Sequence, residues 1–261
     1  MIVHIPASPP CMKSAYPLTF DNKSTAQVVE LTSPNQLTGA LQTLALPAPS
    51  ATLVVVGGAS GLTETYLHDL ESLFVDVISP FADARQLVVI DGGTDSGVMQ
   101  LMGRARTKTE ARFPLLGVVV KAKTFSPGEV PSSEDAAPLE PNHTHFALVP
   151  GQDWGDESPW IAQVADAIAG SMPSATLLIN GGAIALNQDV PNSLDSQRPV
   201  LVIAGSGRAA DQLAVALKGG ISNGQLDTLV STGLIQAVAL DEGAAKVRKA
   251  LNQVFDQLPQ I

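Results

Sequence analysis

"VVIDGGTDSGVMQLMG", Val88–Gly103, decides how the chain is read. Its apolar start belongs to the run Gln86–Ile90, which is short, β-branched and does not alternate. That is the pattern of a strand buried on both faces. Gly92 and Gly93 follow, then Thr94, Asp95, Ser96 and Gly97. After them Val98, Leu101, Met102 and Ala105 recur at helical spacing, so a helix is expected from Gly97 to about Thr109. Glycine lets a backbone approach another group closely. The amides that open the helix carry partial positive charge and favour an anion.

The same event recurs elsewhere. Strand Thr52–Val56 runs into Gly57, Gly58, Ala59, Ser60 and Gly61. Strand Thr176–Ile179 runs into Asn180, Gly181, Gly182 and Ala183, and strand Val200–Ala204 into Gly205, Ser206, Gly207 and Arg208. Further strands are expected at Gln27–Leu31, Leu115–Val120, Phe146–Val149 and Ile235–Leu240. Helices are expected at Ser33–Leu46 with Ser33 as cap, Leu62–Ala84, Pro159–Ala169, Ala209–Leu217 and Ala244–Leu258. Strand and helix in alternation predict an α/β, Rossmann-like three-layer sandwich with a mainly parallel sheet. All parallel strands end on one edge, so four glycine turns there can build one composite pocket. Phe125–Asn142 reads as a long acidic surface loop with the position of a lid, and Asn187–Arg198 as a polar connection. A single domain over 1–261 is expected, its first 25 residues loosely attached.

Composition narrows the partners. Fifteen basic against 25 acidic residues give a net charge of −10. Such a surface repels phosphate backbones, so nucleic acid is not an expected partner. An anion must instead be held by backbone amides and a few placed arginines. One cysteine, Cys11, rules out an internal disulfide and suits a reducing compartment. No apolar run reaches the roughly 18 residues of a membrane span, and no signal peptide is evident. The expectation is a cytoplasmic protein without membrane contact, and a homodimer is possible.

Known phosphate motifs fit in part. There is no P-loop lysine. Gly205-Ser206-Gly207-Arg208-Ala209-Ala210 fits GxGxxA after a strand, but the acidic residue expected about 20 residues on is missing, since Asp227 falls in a helical pattern. Arg208 is the strongest single candidate. Its planar fork can clamp a phosphate or stack on a base. Ser60, Thr94, Ser96 and Ser206 add hydroxyls.

These segments resemble a known family. "DGGTDSGVMQLMGRA" (Asp91–Ala105), "LEPNHTHFALV" (Leu139–Val149), "LINGGA" (Leu178–Ala183) and "PVLVIAGSGRAAD" (Pro199–Asp211) are similar, in order and approximate spacing, to the N-terminal cytoplasmic region of melastatin-type TRP channels. That region belongs to the LSDAT branch of the SLOG superfamily. The likeness covers roughly residues 50–220, and the chain looks like a free-standing prokaryotic-type member without a channel segment. The resemblance implies a nucleotide pocket, with ADP-ribose or a relative as ligand. Its implied contacts are the turns 57–61 and 92–97, Gly181, Gly182 and Ala183, and Arg208; Asn142 belongs to the second quoted segment. In some ADP-ribose-binding members the long loop carries further arginines, and here Phe125–Asn142 has none.

LOG-type phosphoribohydrolases are enzymatic cousins that resemble Gly92–Gly103 and then carry PGGxGTxxE, whose glutamate serves the ribosyl bond. Here the second segment continues Ala183-Ile184-Ala185-Leu186-Asn187-Gln188, and no carboxylate follows before Asp189. A missing general acid or base costs about 10²–10⁴ in rate. Binding of ADP-ribose, cyclic ADP-ribose, NAD or AMP by a sensor is therefore expected, with no catalytic residue assigned. Hydrolysis of an N-glycosidic bond is the alternative, with Asp91 and Asp95 as substitutes for the glutamate. His143 and His145 could meet a metal from one strand face. The preferred reading, implied by the resemblance, is that this segment braces the pocket wall. His4 and His68 have no partner in sequence. Trp154 and Trp160 are read as packing residues, with adenine stacking as the alternative.

Overall fold

The computed structural model describes residues 14–58, 70–220 and 224–258. A nine-stranded sheet runs through it in the order β1-β2-β8-β5-β4-β3-β9-β10-β11. These are Tyr16–Thr19, Thr25–Glu30, His145–Val149, Leu115–Val120, Val88–Asp91, Thr52–Gly57, Ser174–Ile179, Val200–Ala204 and Ile235–Ala239. Every pairing is parallel except β1 with β2. The fold is the expected Rossmann-like α/β class.

Both faces of the sheet are covered, which is why the strands read as unbroken apolar runs. Alternation still sorts the side chains. Val54, Val56, Ile90, Val118, Leu178 and Val202 face one layer, with helices Leu37–Thr43, Ser158–Ala169, Val190–Asp195 and Arg208–Leu217. Leu53, Val55, Val89, Leu177, Ile179 and Ile203 face the other, with Phe74–Ala84, Gly97–Lys108 and Ala244–Gln257. The strand after β3 lies to one side of it, while β9 begins a run to the other side. The crevice between the ends of β3 and β9 is thus the switch in strand order, where such sheets bind ligands.

Several expectations change. Tyr16–Thr19, within the stretch expected to be loose, is an antiparallel edge strand paired with β2. Ser33 precedes a 3-10 turn, Pro34–Gln36, and makes no side-chain cap; the helix proper is Leu37–Thr43. The supposed connection 187–198 is mostly helical: a π-turn Ala185–Asp189 leads into Val190–Asp195. Its buried Ala185, Val190 and Leu194 are spaced five and then four apart. The widened turn hides the 3.6-residue period. The long loop is anchored at both ends by a short pair, β6 (Thr124–Phe125) with β7 (Ala137–Pro138), and by a bridge from Leu139 to Thr94. Helix Leu62–Ala84 is seen from residue 70 onward; its start lies outside the described residues.

Candidate functional site

A cavity of about 400 Å³ opens at the β3–β9 switch. Its floor is the end of β3, Val55 and Val56, with Ile161, Ile184 and Met99 around it. Gly57, Gly58, Gly92, Thr94, Ser96, Gly182, Ala183 and Arg208 form one part of the wall. Trp154, Glu157, Asp189 and Ala137 from the long loop form another.

Arg208 is held close to two of the glycine turns. A Cβ at Gly58 would lie 3.1 Å from its Nη1, and a Cβ at Gly182 would lie 2.7 Å from its Nη2. The absence of side chains at 58 and 182 is what lets the guanidinium sit between the ends of β3 and β9. Arg208 has φ of 48° at the first position of its helix. A non-glycine residue in that region is strained, and such strain concentrates at functional sites.

The remaining expected residues support this arrangement from behind. Ser206 is buried; it takes a hydrogen bond from Asn180 N (2.7 Å) on its hydroxyl, while Asn180 Nδ2 donates to its carbonyl (2.9 Å). The turns after β9 and β10 are thereby tied together. Gly205 N donates to Asp211 Oδ1 at 2.6 Å, so Asp211 caps its own turn. Gly207 packs on Asn180, and Gly181 on Ala185, Leu178 and Ala209. Gly93 packs on Gly117 and Val119, while Gly97 opens the helix behind the cavity. Asn142 bonds Glu140 and Asn22. None of these seven lines the cavity. Ala59, Ser60 and Gly61 lie outside the described residues, as do Cys11, His4 and His68.

Below the turn after β4 lies a buried triad. His143 Nε2 meets Asp91 Oδ1 at 2.8 Å, and Nδ1 meets Glu140 Oε2 at 2.8 Å. Asp91 Oδ1 also accepts from Gly93 N at 2.8 Å, which sets the turn. Burial opposes the imidazolium, but the charges and hydrogen bonds of Asp91 and Glu140 outweigh it, and the His143 pKa rises to about 9. A cation between two buried carboxylates is the arrangement in which burial of charge is tolerated. His145 faces elsewhere; it bonds Thr144, and burial lowers its pKa to about 4. The two imidazoles therefore do not converge, and among the described residues no group of three His, Cys, Asp or Glu is arranged to hold a metal ion. Asp91 serves the turn from within and does not line the cavity.

Two cavity carboxylates escaped the sequence reading. Glu157 precedes helix Ser158–Ala169, and its Oε2 accepts from Gly155 N at 2.9 Å. Asp189 closes the π-turn that begins three residues after Gly182. Burial raises the proton affinity of both, and Asp189 adds like-charge repulsion on Glu157. Trp154 lines the cavity and donates from Nε1 to the Asp135 carbonyl (3.3 Å) in the loop, whereas Trp160 is in the core.

The geometry and the sequence converge on one family. The LSDAT_prok family, described as SLOG in TRPM, prokaryote, matches residues 50–249. The chain belongs to this family. All four segments quoted for the LSDAT resemblance lie within that match. Comparison with curated proteins finds no match. No helix among the described residues is long and apolar enough to cross a membrane.

Proposed function

We propose that this LSDAT protein is a sensor or ligand-binding protein for a nucleotide-derived ligand such as ADP-ribose, cyclic ADP-ribose, NAD or AMP. The observation that carries the reading is Arg208, seated against Gly58 and Gly182 at the switch in strand order. A guanidinium with nearby backbone amides suits a phosphate, and the apolar floor suits a ribose and base. The molecule is otherwise acidic, so anion affinity must be local to such a feature. Calorimetry with the four ligands tests the proposal, and binding weaker than millimolar for all four overturns it.

A second reading is kept because Glu157 and Asp189 stand in the same cavity. A carboxylate of raised proton affinity is what a general acid for N-glycosidic hydrolysis requires. Incubation with nucleoside monophosphates and NAD, followed by chromatography for released base, separates hydrolysis from binding.

A further inference from the structure

We propose that Asp189 and Glu157 form the specificity end of the cavity and select a ligand whose base bears N–H donors, an aminated heterocycle or carboxamide, with its phosphate at Arg208. This rests on the phosphate reading above.

The placement comes first. Gly182 lies against Arg208, and Asp189 is seven residues further along the same helical segment. Gly182 and Asp189 both line the one cavity, Gly182 at Arg208 and Asp189 at the end of the π-turn. Ordinary helical geometry continues only from Val190, whose N–H bonds back to Ala185 within the π-turn. That turn carries Asp189 onto the cavity wall along with Ile184 and Ala185, while Leu186, Asn187 and Gln188 do not line it.

The chemistry comes second. Glu157 accepts from the amide of Gly155 and from its own, and the charges of Asp189 and Asp156 that act on it are both of the same sign. Asp156 is engaged with the amides of Gln152 and Asp153. The Ser158 hydroxyl, which is buried, leans toward Asp189 but completes no hydrogen bond of normal geometry. The end therefore holds two acceptors of like charge with a buried hydroxyl beside them. Part-buried carboxylates on a cavity wall have acceptor capacity left over, so further donors are expected on the ligand. With only two carboxylates converging, a protein-built metal cage is a poor alternative. Trp154 and Ile161 line the same cavity with apolar surface, which suits a planar heterocycle.

The test compares AMP, purine riboside 5′-monophosphate and ribose 5-phosphate by calorimetry on the full chain. The first two differ only by the exocyclic amine. AMP is expected to bind about tenfold or more tightly than its desamino analogue, the cost of leaving a desolvated acceptor without its donor. Asp189→Ala should reduce that preference to about threefold or less while leaving ribose 5-phosphate affinity unchanged. Arg208→Ala should weaken all three and keep the preference. Thermal unfolding of each variant checks that it is folded, and Glu157→Gln repeats the test if Asp189→Ala is not. Equal affinity for AMP and its analogue overturns this inference alone. Failure of all three to bind overturns the phosphate reading as well.

Discussion

At the scale of single residues, Arg208 and His143 divide the labour between ligand and fold. Arg208→Ala is expected to cost about 1.5–3 kcal/mol in binding a phosphate ligand, the range of a charge-assisted hydrogen bond, as read by calorimetry. His143 holds the turn from beneath. Replacing it by leucine leaves Asp91 and Glu140 buried without their cation, and a loss of about 3–5 kcal/mol in urea unfolding is expected. Its pH signature has a definite sign. The folded pKa, about 9, lies above the unfolded value. The stabilisation is therefore full below about pH 6.5 and is lost as pH rises toward 9. His145, depressed to about 4 by burial, works in the opposite range: stability falls as pH drops from about 6.5 toward 4. Urea midpoints across pH 4–9 should show both limbs, and His143→Leu should flatten only the alkaline one.

At the scale of elements, glycines that look alike in sequence do different work. Gly103 lies within helix Gly97–Lys108, where alanine ordinarily gains about 1 kcal/mol. Here a Cβ would fall 2.1 Å from Glu140 Oε2. That carboxylate is pinned by His143 and Asn142 and has nowhere to go. Gly103→Ala is accordingly expected to lose about 1–3 kcal/mol in denaturant unfolding, the reverse of its propensity. The core strands were legible because β3, β4, β5 and β10 are buried on both faces and contain little besides Val, Leu and Ile. β1 was not, because Tyr16 and Thr19 are exposed at the sheet edge and carry no alternation. Helix Val190–Asp195 was obscured by Pro191, which reads as a breaker yet is tolerated in the first turn. The same blind spot hid Asp189. With 187–198 read as a polar connection, no residue of it was expected on a cavity wall. Glu157 lacked any motif at all; only the fold brings it to the cavity.

At the scale of the whole molecule, a net charge of −10 surrounds the anion site proposed at the β3–β9 crevice. No retention of tRNA or duplex DNA is expected in a mobility-shift assay at about 0.15 M salt, since long-range repulsion opposes an extended polyanion. A small phosphate ester escapes that penalty because it meets only the local field at the β3–β9 crevice. Topology was the most legible level: alternating strands and helices already placed four turns on one edge. Which of those residues line a hollow and which merely knit one turn to the next required coordinates, as Gly182 and Gly181 illustrate. The π-turn Ala185–Asp189 has a consequence for how such proteins diverge. Loss of a single codon between Ile184 and Val190 would restore regular winding, keep Val190 and Leu194 in the core, and rotate a different side chain toward the ligand. Relatives could exchange one chemistry for another by a change of length, with every surrounding amino acid left as it was.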